Sequence, residues 1–241
     1  MTNAPGITLQ GRYRIGQQTL FDAAAVRVAA GQWTCLLGRS GVGKSTILRL
    51  ILGLQTAGQF DGTIAADDGQ PIEGRASYMA QSDLLLPWLT LRENVVLGAR
   101  LRGVTPDLDM ADAMIARVGL TAHHAKKPSA LSGGMRQRTA LARTLMEHRP
   151  IVLLDEPFSA LDAGTRADMQ DLAASVLVGK TVLLVTHDPA EACRLGHRIA
   201  VLTPTRTLPW QVPDTAPVRQ AGDPATLAAQ AALLAHLRAT A

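Results

Sequence analysis

The rhythm of apolar and polar positions changes several times along the chain. Residues 7–10 and 20–28 are apolar with partial alternation, which predicts antiparallel strands at the flank of a larger sheet. Residues 33–37 form a short apolar run that ends in a glycine-rich turn, 38–43, and residues 45–54 continue at helical spacing. The local order is strand, loop, helix. Residues 62–66 and 76–80 predict two further short strands. From about 87 to 149 the pattern changes: 91–101, 108–118 and 135–146 carry spaced apolar residues among charges, with breakers at Gly103, Pro106, Gly119, Pro128 and Gly133. This predicts an inserted helical subdomain. Continuous apolar runs return at 151–154, 182–185 and 199–202, the pattern of strands buried on both faces, and helical segments around 163–177 and 190–195 connect them. Such alternation predicts a parallel α/β sheet. Residues 203–217, punctuated by Pro204, Pro209, Pro213 and Pro217, read as a linker or extended excursion, and 223–238 as one terminal helix.

Composition narrows the class. With 241 residues, 47% hydrophobic and 18% charged, the chain has enough apolar material for a core of its own, which excludes a disordered or fibrous protein. Its 24 Lys+Arg against 20 Asp+Glu leave +4, a modest excess compatible with phosphate ligands or a membrane surface. No run of like charges forms a nucleic-acid arm, so no nucleic-acid partner is expected. Cys35 and Cys193 cannot build a disulfide framework, and a reducing, cytosolic compartment is expected. The first residues lack a signal-peptide pattern and no apolar run reaches the roughly 18 residues of a span; any membrane span would belong to another chain.

The chemistry starts at Gly38-Arg39-Ser40-Gly41-Val42-Gly43-Lys44-Ser45, followed by Thr46. This is a P-loop: glycines let successive amides turn toward phosphate oxygens, and the helix start adds its positive dipole end. Lys44 is placed to neutralise β- and γ-phosphates and the Ser45 hydroxyl to hold Mg²⁺. Ile151-Val152-Leu153-Leu154-Asp155-Glu156 sets two carboxylates after a buried strand, where open α/β sheets bind ligands. Asp155 is expected to serve the metal, and Glu156 to orient and polarise an attacking water. Leu131-Ser132-Gly133-Gly134-Met135 opens a further helix with a hydroxyl and two glycines, a second phosphate-binding device in one chain.

Taken together these residues resemble the nucleotide-binding subunit of an ATP-binding cassette (ABC) transporter. The likeness covers nearly the whole chain: the P-loop, a Q-loop glutamine at Gln81, the signature 131–135, the Walker B strand ending at Asp155-Glu156, a D-loop at Ser159-Ala160-Leu161-Asp162 and a switch histidine at His187 follow the family's order. The resemblance implies an α/β fold, with a P-loop NTPase core of mostly parallel sheet, an antiparallel β flank and an inserted α-helical subdomain. It divides one domain, 1–241, into a core (1–86 and 150–202), a helical subdomain (87–149) and a C-terminal linker and helix (203–241). It also implies ATP and Mg²⁺ as cofactors, the ion held by Ser45, Gln81 and Asp155.

The family's cassettes pair head to tail, as a homodimer or with a related cassette, so Ser132, Gly133 and Gly134 are expected to contact the partner's ATP. By the same resemblance Gln81 reaches metal and water, Asp162 couples the two sites, and His187 stabilises γ-phosphate charge beside the base Glu156. Met135 departs from the family's usual glutamine but resembles importers of nitrate, sulfonate, taurine and thiamine-precursor type. Where the family stacks an aromatic residue on adenine this sequence has Ile15, with Tyr13 two residues earlier, which leaves two arrangements: adenine rests on an aliphatic surface, or Tyr13 reaches it.

Leu84-Leu85-Leu86-Pro87-Trp88-Leu89-Thr90 is unusually apolar for a loop, and in ABC importers the equivalent region receives the permease's coupling helix. The function implied is ATP hydrolysis that energises solute import through transmembrane permease subunits fed by a solute-binding protein, at the cytoplasmic face of the membrane. The alternatives are the ATPase of an exporter, or a soluble cassette acting on nucleic acid or ribosomes. The residues after 202 are expected to be too few for an attached regulatory domain.

Overall fold

The computed structural model describes residues 4–239. Strands β1 (Ile7–Ile15), β2 (Gln18–Val28) and β3 (Trp33–Gly38), helix α1 (Lys44–Ile51) and strands β4 (Gln59–Ala66) and β5 (Ala76–Met79) come first. Helices α2 (Leu91–Val95), α3 (Leu97–Leu101), α4 (Leu108–Arg117) and α5 (Gly133–Leu145) follow. The chain then alternates through β6 (Ile151–Asp155), α6 (Ala163–Val176), β7 (Thr181–Val185), α7 (Pro189–Leu195), β8 (Arg198–Leu202), β9 (Thr207–Trp210) and α8 (Pro224–Ala239). Contacts separate two units. One runs to Ala76 and takes in Pro150–Asp155 and the chain from Gly179 onward; the other is Ser77–Arg149 with Glu156–Val178.

In the first unit, β2-β1-β4 form an antiparallel sheet. Ile7, Leu9 and Tyr13 alternate inward along β1, as half-buried strands do, and the Tyr13 ring stacks on Phe21 at 5.7 Å. The other sheet runs β6-β7-β3-β8 in parallel with β9 antiparallel at its edge. β3, β6 and β7 are buried at every position, the result of their continuous apolar sequences. Burying one such leucine or valine contributes about 1.5–3 kcal/mol.

The α/β class with its antiparallel flank agrees with the sequence, but the stretch 203–217 is not simply a linker. Its residues Thr207–Trp210 extend the main sheet, in register from Ile199↔Trp210 to Leu202↔Thr207. The turn before them is closed by Thr203, whose hydroxyl donates to Arg206 O (2.8 Å) and accepts from Arg206 N (3.1 Å). Pro209 fits because an edge strand leaves one row of backbone groups unpaired. The rest of the excursion is tied down by buried Arg219, which donates to the carbonyls of Thr215 (2.7 Å), Cys193 (2.8 Å), Gly196 (2.8 Å) and Pro213 (3.0 Å).

The second unit is helical. Thr90 and Glu93 form a capping box on α2, and Asp107, Ser132 and Asp162 cap α4, α5 and α6. The helical stretch 91–101 consists of two helices, because Val96 leaves helical geometry (φ −93°, ψ 7°) between α2 and α3. The contact boundaries also differ from a subdomain at 87–149: the second unit begins at Ser77 and includes α6. Side-chain hydrogen bonds explain this, since Gln137 of α5 binds the turn after β6 and Arg117 of α4 donates to Ser175 of α6 (2.9 Å).

Candidate functional site

Register places the first unit's chemistry at one sheet edge. Leu36 of β3 and Asp155 of β6 both pair with Val185 of β7, so the P-loop, Asp155 and Thr186-His187 all leave the carboxyl ends of neighbouring strands. The loop needs its glycines. Gly38 has φ 152°, where a Cβ would lie 2.5 Å from Leu202 O, and Gly43, the residue before α1, has φ 105° with Leu20 and Phe21 side-chain carbons 2.9 Å from a would-be Cβ. Lys44 is only 7% exposed and its Nζ donates to Gly38 O (2.8 Å) and Arg39 O (3.0 Å). The ammonium is thus held inside its own loop, where a phosphate would replace carbonyl partners. Arg39, Ser40 and Gly41 are exposed, Val42 is buried, and Ser45 and Thr46 are half-buried on the first turn of α1.

Asp155 is buried at the end of β6. Together with the Ser45 hydroxyl it supplies hard oxygen donors, the kind that suit Mg²⁺ alongside phosphate. His187 is exposed just beyond β7. The turn that carries it is fixed by Thr186, whose amide donates to Leu36 O (3.2 Å) and whose hydroxyl accepts from Asp188 N (3.0 Å). Asp188 in turn caps α7 by accepting from Ala190 N (2.8 Å).

Tyr13 is not available to a ligand: it is buried and its hydroxyl accepts from Gly58 N (2.6 Å). Ile15, at the end of β1, is 44% exposed. Both cysteines are buried free thiols; burial raises their pKa, Cys193 to about 11, so neither is a reactive thiolate.

The second unit gathers Gln81, Glu156, the signature and Asp162. Glu156 adopts φ 50°, a left-handed conformation uncommon outside glycine that costs of order 1–3 kcal/mol. Its carboxylate Oε2 accepts from Gln81 Nε2 (3.1 Å). Its carbonyl accepts from Ser159 Oγ (3.0 Å) and Gln137 Nε2 (3.0 Å). Ser132 accepts from Met135 N (3.2 Å) as the cap of α5, with Ser132 and Gly133 exposed and Gly134 half-buried. Asp162 accepts from Thr165 N (3.0 Å), and that backbone bond holds its carboxyl below the usual range.

Sequence reasoning missed three residues here. Gln137 is 6% exposed and occupies the buried stripe 137, 141, 144 and 145 of α5; a polar residue at a core-facing position was the signal. Arg136 Nε donates to Asp83 Oδ2 (2.9 Å), and Arg143 donates to Leu84 O (2.9 Å) and Asp83 O (2.7 Å), so α5 grips the loop after Gln81. Nothing in the local sequence announced those partners. Beyond them the apolar loop does surface, with Leu84 61% and Trp88 65% exposed, while Leu85 is buried. Among the described residues no helix is long and apolar enough to cross a membrane.

Known proteins similar to this chain are ATP-binding cassettes. The sequence model of the ABC transporter family matches residues 21–159. An uncharacterized ABC transporter ATP-binding protein of Haemophilus influenzae is 47% identical over 192 residues, 79% of this chain and 78% of that protein. Aliphatic sulfonates import ATP-binding protein SsuB 2 of Agrobacterium fabrum is 49% identical over 184 residues, covering 74% and 68%. Among solved structures, the dimeric post-hydrolysis state of the ATP-binding cassette MJ0796 bound to ADP and Pi is similar with TM-score 0.72 and 28% identity, over 89% of this chain and 99% of that one.

Proposed function

The chain belongs to the ABC transporter family and is an ATP-binding cassette ATPase, and from this premise we propose that it is the subunit that energises solute import, working as a head-to-tail dimer beneath transmembrane permease subunits. The observation that carries the catalytic reading is Glu156: a carboxylate directly after Asp155, turned into a left-handed backbone conformation and bonded to Gln81. Support for import comes from relatives named as import ATP-binding proteins, and support for pairing from the dimeric MJ0796 structure. The whole chain acts as one cassette, cytoplasmic and peripheral to the membrane, supplied from outside by a solute-binding protein. Aliphatic sulfonates are the first solutes to test.

In this reading the amides of Gly38–Thr46 cradle the phosphates and Lys44 leaves its carbonyl partners to neutralise them. Ser45, Asp155 and Gln81 would hold Mg²⁺, which would offset the charge of the phosphates. Glu156 takes the proton of the attacking water, and His187 donates to a γ-phosphate oxygen as charge accumulates. Ser132, Gly133 and Gly134 present a helix N-terminus to the partner's ATP, and Asp162 couples the sites. The base of ATP rests against aliphatic Ile15, since Tyr13 belongs to the core.

Membrane co-purification with identification of the bound permease, combined with ATP hydrolysis by wild-type and Glu156→Gln protein, tests this function. A permease partner and Glu156-dependent turnover are expected. A protein that binds nucleic acid in a salt-sensitive way and never associates with membranes would overturn it.

A further inference from the structure

The backbone of the turn that carries Glu156 is held by a side chain of α5. Gln137, buried on α5, uses both ends of its amide: Nε2 donates to Glu156 O (3.0 Å) and Oε1 accepts from Ala160 N (2.8 Å). Ser159 N (3.3 Å) and Ser159 Oγ (3.0 Å) donate to the same Glu156 carbonyl from within the turn and move with it, and Gln81 Nε2 reaches the carboxylate rather than the backbone (3.1 Å). Gln137 therefore staples Glu156 through Ala160 to a helix whose first turn is the signature, Ser132 lying five residues upstream. The helix is continuous between them, so a displacement at Ser132 reaches Gln137 as a rigid-body movement. Burial keeps water from competing for either bond, which makes the link strong and directional. The strained backbone at Glu156 gives the staple something to hold: without it the residue has a lower-energy conformation available.

We propose that Gln137 is a positioning residue that transmits the placement of the signature end of α5 to the Glu156 carboxylate, so that the base is aligned when the signature engages the partner's nucleotide. This rests on the assignment of Glu156 as base and of the signature as the partner-facing element. In this role Gln137 acts through Glu156 and the D-loop.

The test uses the whole protein and compares Gln137→Met, which removes both hydrogen bonds at similar volume, with Gln137→Glu, which keeps an acceptor for Ala160 N but when ionised loses the donor to Glu156 O. Thr144→Val, another buried polar residue of α5 whose hydroxyl donates to Ala140 O (2.9 Å), controls for general damage to the helix. Steady-state hydrolysis, ATP affinity and melting temperature are measured for each. Gln137→Met is expected to lower kcat about tenfold to a hundredfold, the scale of a misaligned catalytic group, with KM and ATP affinity within about threefold of wild type. Gln137→Glu should lie between, and its kcat relative to wild type at the same pH should recover on acidification, because a protonated carboxyl donates to Glu156 O again.

A kcat within about threefold of wild type in folded Gln137→Met, or an equal loss in Thr144→Val, overturns the positioning role. If Gln137→Met does not fold, Gln137→Glu decides: wild-type turnover across the pH range overturns the proposal. Absence of turnover in the wild-type protein would instead defeat the ATPase assignment itself, and the proposal with it.

Discussion

Around the P-loop the backbone does the holding. Gly38 and Gly43 sit at φ values suited to glycine, Asp155 and Val185 are aligned by parallel register, and Lys44 is clasped by main-chain carbonyls. Around Glu156 the holding is done by side chains: Gln81 on its carboxylate, Gln137 on its carbonyl, Arg136 and Arg143 on the loop that follows Gln81. The first arrangement is rigid because a change of backbone would have to break a buried sheet. The second can be reset by rotating a few bonds. The former suits a site held ready for phosphate, and the latter suits the proposed base, whose alignment is proposed to follow the signature.

The largest effect is expected at Glu156, the proposed base. Glu156→Gln keeps an acceptor for Gln81 but no base, so hydrolysis should fall by at least ~10²-fold while ATP binding persists and an ATP-bound dimer accumulates, as read by turnover and size-exclusion chromatography. Near-normal turnover would remove Glu156 from catalysis. Lys44→Ala attacks the backbone-held side instead: losing charge-assisted bonds to phosphate should weaken ATP binding about tenfold to a hundredfold by calorimetry. If affinity is unchanged, the P-loop does not hold phosphate through this lysine.

Trp88→Ala sharpens the comparison at the exposed loop. A tryptophan that is 65% exposed contributes little to folding, so melting temperature and basal hydrolysis should stay close to wild type while permease binding loses about 2 kcal/mol. Unfolding, or unimpaired docking, would place Trp88 outside an interface. Asn94 supports that loop from a buried position, accepting from Leu86 N (2.8 Å) and donating to the carbonyls of Leu86, Leu89 and Thr90. Asn94→Ala should therefore cost about 1–3 kcal/mol in chemical denaturation, and no loss would mean these bonds contribute nothing net.

The smallest expected effect is at the Asp162 cap. Its lowered carboxyl pKa stabilises the fold above the unfolded value near ~3.9, and that contribution disappears as pH falls through the folded value. Asp162→Asn should be slightly less stable than wild type at neutral pH and converge with it in acid. A gap that is constant across thermal melts from neutral to acid pH would show that the charge is not the source.

Much of the molecule was determined by sequence alone, and the reason is local. Glycines in the loop 38–43, continuous apolar runs in β3, β6 and β7, and capping residues such as Ser132, Asp162 and Asp188 act within a few positions of themselves, so their consequences can be read from the string. The nucleotide-binding motifs belong to this class. Tertiary structure alone decided which distant groups meet: that Tyr13 is spent in the core against Phe21, that Thr207–Trp210 closes the sheet edge, that Arg143 binds carbonyls of the Gln81 loop, and that Gln137 faces the turn of Glu156. Gln137 and Arg143 depend on partners nineteen to sixty residues away, Tyr13 on Phe21 of the next strand and on Gly58, and Thr207–Trp210 on an edge left open by other strands; such meetings are specified by packing of whole elements rather than by any pattern near either residue.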